Sequence, residues 1–282
     1  MEWLIEAFEP AFMQRALIGS VVAVIATSIV GTWVVLRGLA FLGDALAHGV
    51  IPGIAIAVLV GFNPLIGAFI AALVMSGLVS VVSNRTTVRD DTAIGLLFVG
   101  MLALGIIIVS RARSFATEVT ALLFGNVFGV TTEDIRNQLI ATVIVVLVTV
   151  VMYRPFLALT FNRQKAQTLG MRPQVTQAVL LTLLTVSIVS SFQAIGTLLV
   201  FGLIVGPPAT ATLLARRIPA IMGVSIVIGT LSVVAGLLIS FHFGTAGGAT
   251  ISGLSVLQFF VVLAVKEAAV ALRRSDNPAL AT

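Results

Sequence analysis

Residues 16–36 read ALIGSVVAVIATSIVGTWVVL, with no charged residue between Arg15 and Arg37. At about 1.5 Å per residue, a helix of that length crosses the roughly 30 Å hydrocarbon core of a bilayer. Lipid offers the backbone no hydrogen-bond partner, so a helix is the form such a run must take there. Working outward, similar runs recur near 42–60, 65–82, 92–110, 138–152, 175–191, 197–215, 220–241 and 254–271. The expected fold is all-α, a polytopic transmembrane bundle of about nine membrane helices, with eight as the alternative count. Turn chemistry separates the runs at Asn63-Pro64, Ser83 to Asp91, Arg216 to Pro219 and Gly244 to Gly248. The stretch Leu122 to Val130 is apolar but too short to span. It could lie in the interface, re-enter, or pack inside the bundle.

Composition agrees with a lipid-covered surface. Fifty-nine per cent of the 282 residues are hydrophobic, 10% are charged, and the mean hydropathy is +1.17. A soluble domain carries nearer a quarter charged residues. There is no cysteine, which excludes disulfides, thiolate zinc sites and thiol catalysis. The net charge of +5 reads as membrane-orienting charge, and no nucleic-acid partner is implied. Glu2, Glu6 and Glu9 precede the first apolar run, where a cleavable signal peptide would be basic. They suit either a short interfacial helix or a solvated acidic tail.

The basic residues set the expected orientation. Arg37, Arg85, Arg89, Arg154, Arg163, Lys165, Arg172, Arg216, Arg217, Lys266, Arg273 and Arg274 fall on one side of a nine-helix path. Only Arg15, Arg111, Arg113 and Arg136 fall on the other, twelve against four. The positive side is cytoplasmic, so the N-terminus is expected outside and the C-terminus in the cytoplasm. Glycine pairs such as Gly49/Gly53, Gly202/Gly206 and Gly125/Gly129 read as places where helices approach closely.

Among the acidic residues, Asp44 stands apart from the loops and tails. It lies early in the second run, in FLGDALAHGVIPG from Phe41 to Gly53. A carboxylate at the bilayer centre costs at least about 2.5–3.5 kcal/mol, so it needs a partner or water. His48 is one helical turn further on, on the same face. Carboxylate oxygen with imidazole nitrogen suits manganese, iron or zinc, and two ligands hold an ion loosely enough to release it. Alternatively, Asp44 caps the helix and His48 packs against a backbone carbonyl. His242 ends the eighth run, where it could meet an ion from outside or sit as an interfacial histidine between Phe241 and Phe243. Between Tyr153 and Gln174, residues 163–169 suit a short helix capped by Asn162 and closed by Gly170. The chain has no phosphate loop, HExxH zinc motif or GxSxG elbow, so no enzyme site is evident and ATP, if used, binds another chain.

The motifs resemble a known family, the permease subunits of bacterial ABC importers for manganese, zinc and iron, over residues 14–272. The resemblance rests on four ordered blocks: Leu36-Arg37-Gly38 through Asp44 and His48 to Pro52-Gly53; Asp91 to Gly95; Leu123 to Asn126; and Gln193 to Val200 continuing to Pro207, Ala209, Thr210 and Ala211. It implies a multi-pass permease domain of the bacterial plasma membrane, between an extracytoplasmic segment 1–13 and a cytoplasmic tail 273–282. It also implies a homodimer resting on cytoplasmic ATPase subunits and supplied by an extracytoplasmic metal-binding protein. No cofactor is permanently bound, and the metal ion is cargo. Asp44 and His48 fall on the family's metal-coordinating aspartate and histidine. Asn162, Arg163, Gln164, Lys165, Ala166 and Gly170 fall on its ATPase-coupling element, near 161–171. Two features depart from the pattern. Asn162 and Gln164 replace carboxylates beside Arg163 and Lys165, and Pro208 follows Pro207 within the seventh run, where a kink is expected. The competing reading is an ion-coupled secondary transporter, which needs more titratable groups in the membrane than Asp44 and His48. An intramembrane enzyme would lack a nucleophile.

Overall fold

In the computed structural model, which describes residues 6–85, 90–110, 127–161, 167, 170–195 and 197–276, every one of the expected apolar runs is helical. In chain order the helices are α1 (Ala11–Leu36), α2 (Ala40–Gly49), α3 (Ile51–Val60), α4 (Pro64–Arg85), α5 (Asp90–Ser110), α6 (Thr132–Val151), α7 (Tyr153–Phe161), α8 (Pro173–Ile195), α9 (Thr197–Leu214), α10 (Ile218–Phe243) and α11 (Gly247–Asp276). Among the described residues, 8 helices are long and apolar enough to cross a membrane, counting α2 with α3 as one span, Ala40–Val60. The remaining expected run appears as a shorter apolar helix, Leu199–Leu214 within α9.

α1 and α8 form the middle of the bundle. Their apolar windows are 67% buried, against 17% for α5 and 22% for α6 and α11. α1 touches α6, α8, α9 and α10 and carries buried Ser20, Thr27, Ser28 and Thr32. The two threonine hydroxyls turn back on their own backbone: Thr27 Oγ1 donates to Ala23 O at 2.8 Å and Thr32 Oγ1 to Ser28 O at 2.7 Å. Other polar groups tie helices together, as lipid supplies no hydrophobic drive for association. Ser76 on α4 meets Thr185 on α8 at 3.1 Å, and Gln138 Nε2 on α6 donates to Ser191 Oγ on α8 at 2.8 Å. Lys266 Nζ on α11 donates to Leu213 O at 3.1 Å, a cation at the C-terminal end of α9.

The small residues are packing surfaces. A Cβ at Gly53 would fall on the carbonyl oxygen of Gly67, and one at Gly67 on that of Gly53, so α3 and α4 meet backbone to backbone. Gly49 takes the sulfur of Met75, while Gly202 and Gly206 take Ser252 and Ser255.

The helices differ from expectation in several places. α1 begins at Ala11 because Met13 is buried and Gln14 Nε2 bonds Phe8 O at 3.0 Å. A separate helix, α7, follows α6 after Met152, where a loop was expected. Pro155 is tolerated in its first turn, and buried Phe156 packs on Trp33 with ring centroids 5.6 Å apart. Within Leu122 to Val130, the described part is a 3₁₀ turn at Val127–Gly129, with Val127 and Val130 buried. That part packs into the bundle: Phe128 meets Phe12 edge-on at 5.9 Å, and Gly19 lies 3.3 Å from Val130 Cγ1, measured from where its Cβ would stand. α9 runs helically through Pro207 and Pro208. Pro208 has no N–H for Ile204, and that carbonyl oxygen instead meets Gly31 of α1.

Candidate metal site

The chain reaches the site through a tight turn between α1 and α2. Gly38 adopts φ 69°, a conformation that costs glycine nothing. Gly38 N donates to Val35 O at 3.0 Å and Leu39 N to Val34 O at 2.9 Å. These are the paired bonds of a Schellman ending, with Arg37 as the cap. α2 then starts at Ala40, with Leu39 as its cap residue and no side-chain cap bond. Asp44 lies inside α2 and so is not a helix cap.

Asp44 and His48 share one face of α2. Asp44 Oδ1 lies 3.4 Å from His48 Nδ1, and the side chains are 28% and 33% exposed. His48 Nδ1 is also 3.1 Å from the Asp44 carbonyl oxygen. A carbonyl only accepts, so Nδ1 carries the proton and the Nε2 lone pair is the one left for a ligand. Nitrogen and oxygen donors bind transition ions at about 2.0–2.2 Å. The 3.4 Å contact is made by Nδ1, so the two side chains must turn about their torsions for Asp44 and Nε2 to hold one ion. Both side chains remain accessible, whereas the flanking Gly43, Ala45, Leu46, Ala47 and Gly49 are buried.

The helix breaks directly beyond His48. Pro52 lacks the N–H that would bond the His48 carbonyl in a continuous helix, and the ladder restarts in α3, with Ile54 N donating to Val50 O at 3.0 Å. A helix interrupted beside polar ligands is a recurring arrangement where membrane proteins handle ions. Phe98 on α5 closes one side: its ring is 5.9 Å from His48 at 88° and 5.8 Å from Phe41 at 75°. Phe201 and Ile204 of α9 lie against Gly43, 3.7 and 3.6 Å from where its Cβ would be. Sequence reading missed Phe98 because nothing local ties it to α2. The placement of Phe41, Asp44 and His48 on one α2 face was a usable signal.

His242 stands apart, at the end of α10. Its Nδ1 is 2.9 Å from Leu238 O and its ring is edge-on to Phe241 at 5.3 Å. Among the described residues no three His, Asp or Glu side chains cluster as a ready metal site. Of the coupling residues, Gly170 is described, with φ 70° and its N–H on Gln167 O at 3.0 Å. Asn162, Arg163, Gln164, Lys165 and Ala166 lie outside the described residues, as does the block Leu123 to Asn126.

A bundle of apolar helices with a carboxylate–imidazole pair held at a helix break defines a multi-pass membrane transport subunit. The chain belongs to the ABC 3 transport family, whose model matches residues 9–266. It is 34% identical over 254 residues to the manganese transport system membrane protein MntC of Halalkalibacterium halodurans, covering 89% of this chain and 87% of that protein. It is 31% identical over 258 residues to the chelated iron transport system membrane protein YfeD of Yersinia pestis, covering 92% and 86%. Among solved structures, PsaBC from Streptococcus pneumoniae in complex with Fab superposes with a TM-score of 0.81 at 30% identity, over 93% of this chain and 94% of that one.

Proposed function

We infer that this permease subunit passes a divalent transition-metal ion into the bacterial cytoplasm, with Asp44 and His48 as ligands on the way. The observation that carries this is the part-exposed Asp44–His48 pair, 3.4 Å apart on one face of a helix inside an apolar bundle. Names of the relatives make manganese and iron the first candidates for cargo. Zinc is the third, since oxygen–nitrogen ligation suits all of them.

The remaining parts follow from family membership and from the charge pattern. A cytoplasmic ATPase subunit supplies the energy through the segment Asn162 to Gly170, and an extracytoplasmic binding protein delivers the ion. The N-terminus lies outside and the C-terminus inside, as the basic asymmetry requires. A second copy of the chain supports a fuller coordination sphere, because one subunit contributes two ligands to an ion that commonly takes four or more. His242, at a helix end away from the pair, is left as a first contact for an entering ion. Uptake of Mn²⁺ by proteoliposomes carrying the permease with its ATPase tests the reading. ATP-dependent uptake is expected, and uptake driven by an ion gradient without the ATPase would establish the secondary-transporter alternative.

A further inference from the structure

We propose that Phe98 is a positioning residue for His48, a role that rests on the reading of Asp44 and His48 as metal ligands. Phe41 and His48 are two turns apart on α2, roughly 10.5 Å along its axis. A ring 5.8 Å from the first and 5.9 Å from the second therefore bridges the stretch of α2 that carries Asp44. From α5 it forms an apolar wall beside the carboxylate–imidazole pair.

Two things follow from that position. An imidazole attached by two torsions swings freely unless both its edge and its face are engaged. The Asp44 carbonyl holds the Nδ1 edge at 3.1 Å. The Phe98 ring, perpendicular at 88° with its centroid 5.9 Å away, narrows the space into which the imidazole can turn about its second torsion. Edge-to-face aromatic contact is favourable as well as restrictive, so the ring stays aligned with Asp44 before an ion arrives. Secondly, Phe98 is itself half-buried and packed on the core, which limits its own movement. Groups that orient a metal-binding histidine without touching the metal act through its geometry. Phe98 does so by shape, where a carboxylate or carbonyl would do so by hydrogen bonding.

The test is the Mn²⁺ dependence of initial uptake rates by the intact complex in proteoliposomes. Phe98→Leu keeps apolar volume and removes the ring. It should raise KM for Mn²⁺ by roughly tenfold, the lower end of what loss of an orienting partner costs, with maximal rate changed by under about twofold. Phe98→Tyr and Phe98→Trp keep a ring and should hold KM within about twofold of wild type. If the Leu variant fails to assemble, Phe98→Met carries the same expectation. Wild-type KM in the Leu or Met variant overturns the proposal. So does a fall in maximal rate at unchanged KM in every variant, which would mark Phe98 as packing alone. His48→Ala measured in parallel separates the two claims. Unchanged uptake there sinks the ligand reading itself, whereas an inactive His48→Ala beside a wild-type Phe98→Leu sinks only the role of Phe98.

Discussion

Replacing Gly31 by alanine should loosen the contact between α1 and α9. A Cβ at that position would overlap the carbonyl oxygen of Ile204 and stand 3.0 Å from both its carbonyl carbon and Pro208 Cγ. Carbon atoms in contact rest about 3.5–4.0 Å apart, so the helices would have to separate by roughly an ångström. The obstacle is backbone and a proline ring, neither of which can rotate away. Overpacking of this kind costs about 1–3 kcal/mol, against up to about 1 kcal/mol gained from alanine's better helix propensity. Because the clash is with backbone, the upper part of that range applies, and a cost of about 2–3 kcal/mol less about 1 leaves a net loss of about 1–2 kcal/mol. That is a fall in the unfolding midpoint of about 2–4 °C for a chain of this size. Gly77 on α4 is the control, since a Cβ there would meet nothing within 4 Å. Gly77→Ala should leave the midpoint unchanged or raise it. Thermal unfolding of the purified protein, followed by fluorescence of Trp33 buried against Tyr153 and Phe156, reads both variants. Because Ile204 also lies against Gly43 beside Asp44, uptake should fall with stability in Gly31→Ala. A midpoint for Gly31→Ala at or above wild type would refute the reasoning, since it would mean that the α9 backbone does not press on α1.

Asp44→Asn and His48→Ala should each abolish Mn²⁺ uptake while the protein still reaches the membrane. Wild-type rates in both would reduce the pair to packing. Cysteines introduced singly into this cysteine-free chain should react from outside at Phe62 and from inside at Gln167, both exposed; labelling of both from one side would overturn the orientation. The double change Arg163→Glu with Lys165→Glu should release the ATPase, and added salt should weaken the native assembly, because exposed charges are screened over about 8 Å at physiological ionic strength. Copurification of the double variant at undiminished yield with normal ATP hydrolysis would instead assign the docking to apolar contacts.

The membrane helices were readable one at a time because hydropathy is a property of each segment facing lipid or its neighbours, and a run such as Ala16 to Leu36 carries that property by itself. So was the Asp44–His48 pair, set by helical spacing, whereas the turn at Gly38 showed only in its φ of 69°. Sequence alone left open whether Asp44 capped its helix, and starting α2 at Ala40 decided that. It also left open the fate of Leu122 to Val130, and gave no sign of α7, whose Phe156 is helical because Trp33 on a distant helix receives it. Only the tertiary structure could place Phe98 on His48, Ile204 on Gly31 and Gly53 on Gly67. Those contacts join residues far apart in the chain, and which helix face meets which depends on the packing of backbones and rings across the whole bundle, which no local window of residues encodes.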